Sequence, residues 1–185
     1  MSQVAGQNTS GLSPVADAGV ALLRQCEQFV RHMTGEAGES RYCAVSRVLP
    51  GGTIGKHLRH CLDHYRAALD GYERGEAIDY DHRDRDVPME TIPGEALGAI
   101  EEIAARLSEV SGAALQSPVR VRVMVNGNGE EVELSSTLGR ELAFATHHAV
   151  HHQAMMGAIA AEFGVRPAAD FGKAPSTVHH ERGRR

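Results

Sequence analysis

The chain has 185 residues, 42% of them hydrophobic, and a formal net charge of -5. That length can bury the core of one domain without disulfides, and the dispersed basic residues and scarce aromatics argue against a nucleic-acid partner. No apolar run approaches the roughly 18 to 20 residues of a membrane span, no secretory leader is evident, and Cys26, Cys43 and Cys61 show no paired spacing, so a soluble cytoplasmic protein with reduced thiols and no membrane partner is expected.

Residues 1–16 read as a flexible arm, small and polar, residues 17–166 as one domain and residues 167–185 as a C-terminal tail. From Asp17, "DAGVALLRQCEQFVRHM" places Val20, Leu23, Cys26 or Glu27 and Val30 at helical spacing, which reads as a first helix. After the breaker "LPGG", Thr53 is a candidate N-cap for a second helix, "IGKHLRHCLDHYRAALDGYERG", ending near Gly71 or Gly75. "EAIDYDHRDRDVPME" follows as a charged connection, since alternating charge more often marks a solvated loop than a metal loop. A third helix covers "IPGEALGAIEEIAARLSEVSG".

"SPVRVRVMVNGNGEEVELSS" carries the β signal. Val119, Val121, Val123 and Val125 alternate with Arg120, Arg122 and Met124, and "NGNG" predicts a hairpin with type I′-like turn chemistry. Ser136 or Thr137 then caps a last helix running to about Phe163. The predicted fold is all-α, four long helices in a bundle with a small β-hairpin inserted between the third and fourth.

The functional signal is histidine. Seven of the eleven histidines fall in two short segments. In "ELAFATHHAVHHQAMMGAI", advancing about 100° per residue gathers Phe144, Ala145, Met155, Met156, Ile159 and Phe163 on one side, with His148 and His152 near its middle, His151 at its edge and His147 well off it. An imidazole on an apolar face needs partners for its ring nitrogens, and two stacked one turn apart can share one ion. Zinc takes three or four protein ligands, so further donors must come from elsewhere. The second helix offers His57, His60 and His64 along one border of its apolar face, with His57 and His64 slightly nearer the centre than His60. A histidine–carboxylate network through Asp63 or Glu141 is the competing arrangement without metal. Glu141, seven residues before His148, is a candidate for orienting a ligand or moving a proton, or a first-turn carboxylate favoured by the helix dipole.

"TIGKHLRHCLDHY" and "HHAVHHQAMM" resemble the second-helix and last-helix motifs of the DinB-like (YfiT-like) superfamily, over roughly Leu49 to Phe163. Where that family often continues its histidine pair with Arg-Gly-Gln, this chain has Gln153-Ala154-Met155. The resemblance implies a four-helix bundle and a metal triad on His60, His148 and His152, with His57, His64 and His151 around the ion or facing substrate. It implies a divalent metal cofactor, zinc or nickel. It also implies a metalloenzyme of thiol S-transferase or hydrolase type, acting on a small-molecule substrate such as a low-molecular-weight thiol activated for transfer to an electrophile. The alternative is a non-catalytic metal-binding or stress-response protein. A homodimer is a separate expectation.

Overall fold

The computed structural model describes residues 13–34 and 40–184. It is mostly helical with a small three-stranded sheet. Helix α1 spans Pro14–Met33, α2 is the single turn Ser40–Cys43, α3 spans Ile54–Arg74, α4 Pro93–Ser108, α5 Leu138–Glu162 and α6 Pro175–Arg182. Strand β1 (Ile78–Asp79) lies parallel to β2 (Pro118–Met124), which pairs antiparallel with β3 (Glu131–Thr137).

The caps are written in the sequence. Ser13, Thr53 and Thr137 each use a side-chain oxygen to accept the amide of the residue three further on, Ala16, Lys56 and Arg140, which satisfies donors left open in the first turn of a helix. Because Ser13 caps and Pro14 suits the first helical position, α1 starts three residues before Asp17, inside the segment read as an arm. The four long helices then bury one face each: α3 packs on α5 and α4, and α1 on α4 and α5. Leu23, Val30 and Met33 of α1, Leu58, Cys61, Leu62 and Tyr65 of α3, Ile100 and Ile103 of α4, and Ala145, Ala149, Met156 and Ile159 of α5 are all buried in this core.

Three expectations are corrected. The third helix stops at Ser108, short of Gly112, because Ser108 Oγ bonds back to the Ala104 carbonyl and Ser111 Oγ accepts the Ala114 amide to start the next turn, Ala114–Gln116. The hairpin loop is not type I′, which needs positive φ at both central residues. Here Asn126 Oδ1 accepts from the Asn128 and Glu130 amides, and only Gly129 enters the left-handed region, at φ 84°. The third concerns residues 167–185, read as a C-terminal tail outside the domain, whose described part instead packs on it. Phe171 stacks on Phe29 at 4.5 Å between ring centres, the Gly172 amide donates to Gln153 Oε1 and α6 follows.

The charged connection also holds more order than expected. Ile78 is fully buried and adds a third strand in register with Val121. That short strand delivers Tyr80 to the interior, where it reaches the histidine cluster.

Candidate metal centre

Helices α3 and α5 lie against each other and bring their histidine rows together. His148 Nε2 sits 3.0 Å from His60 Nε2 and 3.1 Å from His152 Nε2. Each of these three residues has a ligand atom within 4.8 Å of the other two. His152 is buried and His148 half-buried, whereas His147 and His151 are exposed, which is the helical phase the apolar stripe implies. The His151 ring still rests edge-on against His152, 5.4 Å between centres.

His57 and His64 meet the same cluster from either side. His57 Nδ1 lies 2.9 Å from His152 Nδ1, so one ring donates there and the other accepts. The backbone crowds its other edge: a Cβ on Gly52 would stand 2.9 Å from His57 Nε2, and a side chain at that position would push the ring away. His64 Nδ1 is 2.9 Å from the His60 carbonyl oxygen. A carbonyl only accepts, so Nδ1 carries the His64 proton and Nε2 keeps its lone pair. The His64 ring stacks on His148 at 4.1 Å on one side and on Tyr80 at 4.9 Å on the other.

No carboxylate joins this cluster among the described residues. Asp63 turns to Arg59, 2.7 Å away. Glu141 is buried and accepts hydrogen bonds from the Tyr80 hydroxyl at 2.9 Å and the Ser136 hydroxyl at 2.5 Å. It therefore reaches the histidines only through Tyr80, whose phenol is pushed above its ordinary pKa by burial and by the Glu141 charge. Tyr80 was not singled out from the sequence; the trace it leaves there is the Ile78/Tyr80 alternation.

With no anion to stabilise imidazolium, burial holds the rings neutral. The His60 imidazole is lowered to about 2 by burial and then by the neighbouring charges of His64, His152, Arg83 and His148. Burial first, with the neighbouring histidines after it, lowers His152 to about 3 and His148 to about 4. His57 and His64 are lowered by burial too. Neutral imidazole is the form that ligates a metal.

The donor set can be tested against an ion. Three zinc–imidazole bonds of 2.0–2.1 Å in a tetrahedron place their nitrogens about 3.3 Å apart, and two of the separations here are 3.0 and 3.1 Å. Without an ion, His148 Nε2 faces two other ring nitrogens and holds either one lone pair or one proton, so it satisfies only one of them fully. A cation takes all the lone pairs at once. One feature departs from well-supported metal sites, whose ligands donate their other ring N–H to an acceptor: His60 Nδ1 is buried without a partner.

The chain belongs to the DinB superfamily, whose family model matches residues 22–156. Among curated proteins it is similar to FK506-binding protein 5 of Rhizopus delemar, 34% identical over 104 residues, which cover 56% of this chain and 27% of that protein. The chain thus spans little more than a quarter of that relative's length, and the name describes the longer protein. No solved structure matches the chain.

Proposed function

We propose that His60, His148 and His152 hold a divalent metal ion, zinc or nickel, between α3 and α5 of a DinB-like four-helix bundle that carries the β2–β3 hairpin before its last helix. We read the protein as a cytoplasmic metal-dependent enzyme of thiol S-transferase or hydrolase type, acting on a small molecule and, in the transferase case, on a low-molecular-weight thiol. The convergence of neutral ring nitrogens from two helices carries the reading. Cys26 and Cys61 are buried free thiols, and no described helix is long and apolar enough to cross a membrane.

A divalent ion on three protein donors leaves a position at which the pKa of a water or thiol is lowered towards neutrality. The chain's own residues prepare that position. His57 fixes the His152 ring through the Nδ1 contact, and Gly52 leaves room for His57 to do so. His64, its Nδ1 proton committed to the His60 carbonyl, keeps Nε2 as an acceptor beside the cluster. Glu141 is assigned a positioning role, holding the Tyr80 ring against His64. The non-catalytic alternative calls for a closed site with a fourth protein donor, and among the described residues the group has three.

The test is metal analysis of protein purified without an affinity tag, followed by chelation and re-addition. One equivalent of zinc or nickel is expected. Re-addition at one hundred times Kd should restore about 2.7 kcal/mol of stability, read as a rise in Tm. An unchanged Tm would reject the metal site. Metal-dependent turnover of electrophiles in a panel of small thiols, or of hydrolysable esters and amides, separates enzyme from binder.

A further inference from the structure

Strand β3 is the outer edge of its sheet, with β2 on one side and no described strand on the other. Natural edges are blunted by proline, lysine, bulges or short length. β3 has none of these: "EVELSST" pairs with β2 through seven consecutive residues without a bulge. Its two carboxylates are already answered within the chain, Glu133 by Arg120 and Arg122, and Glu131 by His82 and Arg122. Leu134 lies on the same face as buried Val121, yet it is 53% exposed.

The bonding phase of the edge follows from the ends of the hairpin. The Val125 amide donates to the Glu130 carbonyl and the Leu138 amide to the Ser117 carbonyl. Counting inward by twos, Val132, Leu134 and Ser136 exchange bonds with β2, while Glu131, Glu133, Ser135 and Thr137 turn their amides outward. An antiparallel partner must present the same outward set.

A second copy does so about a twofold axis through Leu134. Glu133 then pairs with Ser135 and Glu131 with Thr137, outward residue to outward residue, and Leu134 meets its own copy as a non-hydrogen-bonded pair, the closer of the two pair types. Neighbouring registers are worse: centring on Val132 opposes Glu131 to Glu133, and centring on Glu133 opposes it to itself. Centring on Ser135 sends Glu131 past the end of the strand, against Gly139 of α5.

We propose that β3 is a homodimer interface, pairing edge to edge with β3 of a second copy in the register centred on Leu134, to make one continuous sheet of six strands. The test is sedimentation of the full chain from micromolar to near-millimolar concentration, with three variants. Ser135→Pro removes an outward amide while leaving the β2–β3 ladder whole, and should weaken dimerisation about tenfold or more. Leu134→Lys puts two ammonium groups at the axis and should abolish the dimer. Leu134→Cys should give a disulfide-linked dimer on mild oxidation, in a background with Cys43 replaced by serine, since the two copies of residue 134 face each other. Circular dichroism checks that each variant folds. A wild-type chain that stays monomeric throughout would overturn the proposal, as would a dimer unmoved by Ser135→Pro and Leu134→Lys. A Leu134→Cys variant that does not crosslink would overturn the register.

Discussion

The histidines between α3 and α5 and His82 at the rim of the sheet are built from one side chain and differ in what surrounds it. Between the helices the rings are buried against each other and no described carboxylate touches them. His82 is 59% exposed, with Asp79 2.9 Å from one ring nitrogen and Glu131 3.2 Å from the other. The inner imidazoles are therefore held below their ordinary pKa by burial, and His82 is raised above it by its Asp79 hydrogen bond and the Asp79 and Glu131 charges. An imidazole with carboxylates on both nitrogens has its donors spoken for. One kept neutral, with its lone pair facing two others, is ready for a cation. Partners rather than composition separate a ligand from a surface clasp.

The largest expected effects come from breaking the inner set. His60→Ala, His148→Ala and His152→Ala should each lower zinc affinity by more than the tenfold to hundredfold typical of removing an outer partner, because each removes a donor. Calorimetric titration of the three, with His82→Ala and His147→Ala alongside, reads the contrast directly. Equal losses in His82→Ala would erase the distinction drawn here, and an intact His148→Ala would remove the centre altogether.

Next in size is His57→Ala. His57 meets the proposed ligand His152 at Nδ1 and offers the cluster no donor of its own, so a tenfold to hundredfold loss is expected. His57→Gln supplies a side-chain amide in place of the ring and should recover part of it. A loss as large as that of His152→Ala would make His57 a ligand.

How legible was this site? His148 and His152 could be read from α5 alone, because an i, i+4 pair centred on an apolar stripe has one direction to face, and His147 and His151 are exposed as that phase requires. The second helix could not be resolved so far. A wheel gives direction around the axis but no height along it, and what separates His57, His60 and His64 is height. His57 meets the Nδ1 side of His152, His60 meets His148 Nε2, and His64 is tied to its own helix by the His60 carbonyl. Only the family resemblance singled out His60. Tyr80 and the two-residue strand before it were hidden because two residues carry no periodicity. Gln153 was hidden for another reason: a glutamine in an apolar helix reads as a solvent-facing residue. Here it is fully buried, donating to the Leu22 carbonyl and Cys26 and accepting from Gly172, which ties the C-terminal segment to the core.

The smallest effect, and the one that tests the comparison most finely, is the sign of the pH response in metal-free protein. For the inner histidines the folded pKa lies below the unfolded value of about 6.5, so the unfolded chain binds more protons in between. Their stabilisation is complete above about 6.5 and is lost as pH falls towards the folded values of about 4, 3 and 2. For His82 the folded pKa lies above the unfolded one, so its contribution is complete below about 6.5 and is lost as pH rises through the folded value. The two clusters oppose each other, and the buried one dominates because solvent screens the exposed pair. Denaturant unfolding between about pH 5 and 8 should show wild-type stability falling on the acid side. His82→Ala should fall slightly more steeply there and converge with wild type at the alkaline end, because the substitution removes the only one of these terms that grows with acid. A shallower acid limb in His82→Ala would mean that Asp79 and Glu131 do not hold a proton on that ring.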